Sequence, residues 1–434
     1  MRKLVPILLT TAVLILAAPL TGRAEPVVVD PQILNQMQET IRRQQEQLRI
    51  QAEQIKAQAQ LLENLQKEVH ALQQPQAPQP SAASAPQPGA SPLTVTSGND
   101  RIKVTLSGQV DRALNIVNDG GSTKLYHVDN NASNSRLRII GTAGINEDLS
   151  LGTRIEFAVA PDVSSQVSQT NQTPGTWFDQ RWTELSLTSR TFGKLSLGKG
   201  DTASNTTAEM DLSRTDVVQY ATIYDIAGGM LFRESAGDRA LTTLKVSDVF
   251  QSRDGLSRQS RLRYDTPALY GFSLAGSLVT NQRYDMALFW NGEGYGFRAV
   301  GAFAVSNPRL GESGLQYDGS VSVLHNATGL NLTLSGGLLE RDTGKDATNL
   351  YGKLGWITNL TEMGHTAFGI DYTRSANLPA SNDRGYSVGA AVVQAFSRYA
   401  TDLYLQYRLY SLDRRSGPSV RAVTVGTFGV RVKF

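Results

Sequence analysis

From about residue 94 to Phe434, apolar and polar side chains alternate segment after segment, and no helical period persists. In LSLGTRIEFAV (149–159), Leu149, Leu151, Ile155, Phe157 and Val159 share one face, and Arg154 and Glu156 lie on the other. LNLTLSGGL (330–338) and DLYLQYRLYS (402–411) repeat the pattern. A period of two with one apolar and one polar face is a β-strand half in each environment. Sixteen such spans are expected: 101–116, 135–143, 148–160, 181–189, 193–200, 259–268, 271–280, 284–291, 295–306, 316–326, 329–341, 349–358, 365–376, 385–396, 401–412 and 420–434. Connections after even strands are short (INED, RTFG, NGEG, NATG), whereas 117–134, 161–180 and 201–258 after odd strands are long. Short turns at one end and long loops at the other are expected of an outer-membrane barrel. A soluble sandwich gives no reason for that alternation. The fold class is therefore an all-β transmembrane barrel of 16 antiparallel strands, placed by its even count with both ends on the periplasmic side.

Composition agrees with that class. Only 40% of residues are hydrophobic, too few for repeated membrane helices of about 20 apolar residues. Lys and Arg number 42 against 39 Asp and Glu, so no nucleic-acid surface is implied. No Cys and four His leave no thiolate chemistry and no histidine-rich metal site. No metal and no cofactor are expected.

The chain ahead of the barrel has three parts. Residues 1–24 read as a secretory signal peptide: Arg2 and Lys3, then apolar Leu4 to Leu20, then small Gly22 and Ala24 before a cut. Residues 30–74 carry Leu34, Ile41, Leu48, Ile55, Leu62 and Val69 every seven residues, with Met37, Gln44, Gln51, Gln58, Leu65 and Leu72 three positions after each. That is the seam of an α-helical coiled coil in a parallel oligomer, with Gln layers that specify register. Its helix would reach roughly 58 Å at 1.5 Å per residue. Residues 75–93 are a Pro/Ala/Gln-rich linker, extended and semi-rigid. The barrel occupies 94–434, and the coil would hang in the periplasm.

A sixteen-stranded barrel is wide enough for an aqueous channel, so what narrows it decides what passes. Residues 201–258 are far too long for a surface turn, and VVQYATIYDIAGGMLF within them is apolar enough to pack. A loop folded into the lumen would present Glu209, Asp211 and Asp216 at a constriction. Strand parity places Arg136, Arg138, Arg154, Lys194, Arg261 and Arg263 inside, together with Glu156, Glu184, Arg298, Lys353 and Arg408. The alternative, on the lipid face, costs about 2–4 kcal/mol per Arg or Lys at the midplane. Arg112 breaks the rule: it shares a face with Val110, Leu114 and Ile116. The final strand VGTFGVRVKF ends on Phe434 and is similar to the signal read by the outer-membrane assembly machinery.

LSGQVDRALNIVNDG (106–120), NSRLRIIGTA (134–143), FDQRWTELSLTSRTFGKLSLGKGDTAS (178–204), AEMDLSRTDVV (208–218) and DIAGGMLFR (225–233) resemble a bacterial general porin family. The resemblance implies a homotrimer of water-filled barrels in the outer membrane, among lipid and lipopolysaccharide. It also implies a third external loop folded inside over about 201–233, with the sixth strand starting earlier than 259. The coil and linker are similar to those of coiled-coil-bearing porins, which implies a three-stranded periplasmic bundle of helices; peptidoglycan is the partner expected of the coil if it acts as a tether. Passive diffusion of small hydrophilic solutes follows from this reading, with no enzymatic step. Two other functions compete with it: a substrate-selective channel for anions such as dicarboxylates, and an envelope tether or adhesin with the barrel as anchor. An enzyme is disfavoured because only His127 lies in a long loop.

Overall fold

The computed structural model describes Arg42, Glu46, Arg49 and Glu53, residues 94–96, and residues 102–434 apart from 176–177, 310–312 and 416. The chain divides into two units, Met1–Ala85 and Pro86–Phe434. The signal peptide, most of the heptad segment and the linker lie outside the described residues.

The second unit is a closed antiparallel barrel of sixteen strands. They are β1 Ile102–Asn118, β2 in two pieces (Thr123–Asp129 and Arg136–Gly144), β3 Leu149–Ala158, β4 Asp179–Ser189, β5 Gly193–Asp201 and β6 Arg258–Asp265. Then follow β7 Phe272–Val279, β8 Arg283–Gly294, β9 Phe297–Asn307, β10 Ser313–His325 and β11 Leu330–Arg341. The last five are β12 Ala347–Thr361, β13 Gly364–Ala376, β14 Arg384–Phe396, β15 Thr401–Asp413 and β16 Val423–Lys433. Each strand pairs with the next, and β1 closes on β16 from Gln109↔Lys433 to Asn118↔Thr424. The ladder with β16 begins at Gln109 and leaves the first seven residues of β1, 102–108, outside it. Thr94–Thr96 takes up part of that edge by pairing with Lys103, Val104 and Thr105.

Alternation maps onto the two faces. On β11, Leu330, Leu332 and Leu334 are exposed outward, and Asn331, Thr333 and Ser335 are buried inward. Leu350 and Leu354 on β12, and Ile370 on β13, continue the lipid-facing surface. Leaving such leucines outside is stabilising only against hydrocarbon.

The upper piece of β2, Thr123–Asp129, fell within the expected loop 117–134. Tyr126 and Val128 are buried there, and Leu125 and His127 face out. The inner face here packs on protein rather than water, so it is apolar too and the alternation is lost. Arg112 keeps the face that parity assigns it. It sits outside, where β1 changes partner from one piece of β2 to the other. Its guanidinium donates to the Pro161 carbonyl at 2.9 Å and lies 3.9 Å from Asp129.

Between β5 and β6 the chain runs through residues 202–257 inside the barrel. Val217, Val218, Ile223, Ile226, Met230 and Phe232 from this loop are buried in one cluster with Tyr126, Tyr404, Tyr410 and Val425 of the wall. The protein's apolar core is thus a seam between loop and barrel. Strand β6 begins at Arg258, one residue before the expected 259, so the segment between β5 and β6 spans 202–257.

Candidate functional site: a basic wall facing an inward loop

The loop is held by wall side chains that take over the partners of its backbone. Ala203 and Ser204 N–H donate to the Asp285 carboxylate of β8 at 3.2 and 2.9 Å. Met210 and Leu212 N–H donate to Ser320 and Ser322 Oγ of β10 at 2.9 and 3.0 Å. Lys353 of β12 donates to Asp211, to Thr215 Oγ1 at 3.0 Å and to the Gln219 carbonyl at 2.9 Å. Gln406 and Tyr410 of β15 donate to the carbonyls of Val218 and Ile223 at 2.8 and 2.6 Å, and Asn115 of β1 to that of Ile226 at 2.8 Å. A buried backbone without secondary structure needs these partners. The loop therefore follows the inner wall from β8 round to β1. Its later part, Leu231–Glu234, pairs with Leu241–Lys245 and with Val420–Arg421 of the β15–β16 loop, making a small sheet at the long-loop end.

A cavity of about 700 Å³ remains beside the loop, bounded by residues of β2, β4 and the start of β6 on the wall side. That wall is basic. Glu156 is fully buried and holds four guanidiniums: Arg138 at 2.5 Å, Arg154 and Arg181 at 2.8 Å, and Arg136 at 3.8 Å. Trp182 supplies the second fixture. The guanidinium carbons of Arg154, Arg258 and Arg181 lie 3.6, 4.6 and 5.4 Å from its ring centroid. Cation–π contact and a shared carboxylate hold like charges together that would otherwise repel. Arg258 also lies 3.2 Å from Asp201.

On the loop side, carboxylates are engaged within the loop itself. Glu209 accepts from the Thr222 hydroxyl, and Asp225 from Tyr220 and from Asn131 Nδ2 at 2.7 Å. Asp254 accepts the Thr206 and Ala208 amides at 2.8 and 2.9 Å. Burial pushes the Glu209 carboxyl well above its ordinary range, and neighbouring Asp254 adds to the shift. Burial also raises Asp254 to about 6, against the pull of its two amide donors.

The residues singled out in the sequence are distributed as follows. Arg136 and Glu209 line the cavity, and Arg138 and Arg154 stand behind it on Glu156. Lys194 and Arg261 instead pair with Glu184 at 3.3 and 2.5 Å, and Arg263 with Asp265 at 2.6 Å. Asp211 is not presented to the cavity, because Lys353 neutralises it behind the loop. Asp216 is exposed but lies outside the cavity lining, on the same stretch as Arg214, which reaches His365 at 3.2 Å. Lys353 and Arg408 point inward as parity requires, yet both are buried, Arg408 against Asp371 at 2.5 Å. Phe434 closes the seam, its amide and carbonyl bonded to Gly108 at 3.0 and 2.7 Å.

Sequence reasoning missed Arg181, Arg258, Arg253 and Asp254. Parity from Trp182 and Glu184 points Arg181 at lipid. A register shift, Glu156↔Trp182 but Phe157↔Gln180, leaves Arg181 as an extra residue and turns it inward. Arg258 stood one residue before the expected strand, and Arg253 and Asp254 belong to the loop's return leg.

A sixteen-stranded, lipid-faced barrel with a charged lumen and a loop wound inside it is an outer-membrane channel. The family model for Gram-negative porins matches residues 78–428, and the chain belongs to that family. No curated protein sequence matches it. Among solved structures it is similar to an anion-selective porin from Comamonas acidovorans (17% identity, TM-score 0.52, covering 77% of this chain and 100% of that one). It is also similar to a loop-deletion mutant of the outer-membrane protein OmpT of Vibrio cholerae (14%, 0.51, 77% and 100%). The outer-membrane channel DcaP of Acinetobacter baumannii is a third (12%, 0.50, 79% and 100%). At these identities the likeness is one of fold.

Proposed function

We propose that this porin is a homotrimeric, water-filled channel for passive diffusion of small hydrophilic solutes, with a preference for anions. The observation that carries the ion preference is the four-guanidinium cluster on one buried Glu156, facing loop carboxylates that are engaged by the loop's own donors. An ion in the passage meets a positive wall that is fixed and a negative side that is partly neutralised. Such rows set ion selectivity. The similar porin from Comamonas acidovorans is described as anion-selective, which accords with this reading.

The trimer reading rests on the outer surface. Tyr264, Tyr270, Tyr295, Phe297 and Trp356 are exposed near the short-turn end of β6 to β12, with Trp290 half-buried among them, as an interface girdle requires. The outer face of β2 and β3 carries aliphatic Leu137, Ile139, Leu151 and Ile155 instead, next to the outward Arg112. Phe157 lies on this face toward the long loops, stacked on the exposed Phe178, but the short-turn end of β2 and β3 lacks girdle aromatics and the face carries a guanidinium, which suits another copy better than lipid. The heptads of 30–74 would join the same three chains as a periplasmic coiled coil. Arg42, Glu46, Arg49 and Glu53 are helical, with Arg49 and Glu53 3.7 Å apart one turn on, which supports a helix there. Phe434 would serve the assembly machinery, and the coil would leave peptidoglycan within reach.

The test is planar-bilayer conductance under a salt gradient. Large steps closing in thirds, with a reversal potential of anion sign, are expected. A cation-sign potential would reject the ion preference, and single-step closure would reject the trimer.

A further inference from the structure

The cavity on the basic wall has a composition that narrows the anion it suits. Arg136, Arg181 and Arg258 approach it from the barrel, and Arg253 from the loop's return leg. Among the described residues, Arg253 Nε has no hydrogen-bond partner, and Arg258 Nε lies 3.2 Å from Asp201. A guanidinium offers paired donors in the geometry of a carboxylate or phosphate. The rest of the lining is amide, hydroxyl and carboxylate: Asn131, Gln251, Gln316 and Ser247 stand beside Asp179, Glu209, Asp225, Asp248 and Asp254, whose oxygens accept from a ligand's hydroxyls. Ala132 is the single lining residue, other than glycine, whose side chain is hydrocarbon alone. Tyr220 and Tyr224 add two rings that carry hydroxyls. An aliphatic or aromatic acid would seat its charge here but would set its hydrocarbon against polar groups, stripping them of water without return. A hydroxylated acid meets partners along its whole length.

We propose that this cavity is a subsite for polyhydroxylated organic anions, of the sugar-acid class. The proposal rests on the anion preference and adds a substrate class to it. The guanidiniums hold the acid group. Hydroxyl recognition falls to the return leg, where Ser247 and Gln251 stand one helical turn apart. The Gln251 amide nitrogen donates to the Ser247 carbonyl at 3.3 Å, and both residues line the cavity. A volume of about 700 Å³ is that of a small-ligand pocket rather than of a bare ion site.

The experiment measures chloride current through the full-length protein while glucuronate, propionate or glucose is added. Glucuronate and propionate carry one charge each, so charge alone cannot separate them. Glucuronate should depress the current at roughly tenfold lower concentration than propionate, as one or two added hydrogen bonds allow. Glucose should do so no better than propionate. The double variant S247A/Q251L should bring glucuronate to the propionate level, with its folded state read from the β-sheet circular dichroism of the purified protein. Equal action of the two acids on the wild-type channel overturns the subsite and leaves the anion preference standing. Stronger action by propionate overturns it too. A cation-sign reversal potential with no action by either acid overturns both.

Discussion

At the residue scale, charge and its neutralisation are separate matters. A unit charge about 8 Å from an ion in water is worth about 0.5 kcal/mol, or roughly twofold in permeability. Arg181→Gln and Arg258→Gln should each lower the chloride-to-potassium permeability ratio by about that factor. Arg263→Gln should lower it less, since that guanidinium is held on Asp265 at 2.6 Å. Reversal potentials of the three variants in one salt gradient make the comparison. Asp254 supplies a pH dependence. Its carboxyl is raised to about 6, so it is neutral below that pH and negative above it. The passage gains negative charge as pH rises from 5 to 8, and anion preference should be greater at pH 5 than at pH 8. Asp254→Asn should flatten the curve. If the slope survives this substitution, another group is the source.

Among the elements, the inward loop is the one whose position the rest of the chain must justify. Lys353 and Asp211 are both buried at its midpoint, and neither has water as an alternative partner. Lys353→Met leaves the carboxylate uncompensated, at a cost of about 3–5 kcal/mol. The double substitution K353M/D211L removes both charges and should recover most of that loss, measured as the denaturant midpoint of the folded barrel. Asp211 thus fastens the loop to the wall through Lys353. Gly255 shows how tightly the root is drawn. Its φ is +48°, and a Cβ there would lie 2.1 Å from Ser204 Oγ, the same hydroxyl that bonds Asp285 at 2.5 Å. Only glycine tolerates that approach in the left-handed region.

For the whole molecule, the barrel and the N-terminal segment should be separable in function. Deleting 30–93 should leave unit conductance and ion preference as they are, because every residue lining the cavity lies after Asn130. If the purified protein then runs as a monomer, the segment is an assembly element; if it remains trimeric, the barrel face around β2 and β3 suffices. Cross-linking followed by sizing in detergent reads out which.

Fold class, strand number and faces were legible in the chain because lipid and water impose a two-residue period that local sequence must obey. Leu330, Leu332 and Leu334 could stand nowhere but outside once Asn331, Thr333 and Ser335 stood opposite. The loop's inward course was legible only as excess length and an apolar stretch. Its partners were not, since Asp285, Ser320, Lys353 and Gln406 are polar inner-wall residues like any others until the loop lies against them. Arg136, Arg138 and Arg154 meet on Glu156, and parity missed Arg181 beside them because a one-residue bulge inverts a face without altering composition. Sequence thus determined which residues face the lumen. Tertiary structure alone decided which of those charges the loop covers, as it covers Lys353, and which it leaves to a passing ion, because that depends on contacts more than a hundred residues apart in the chain.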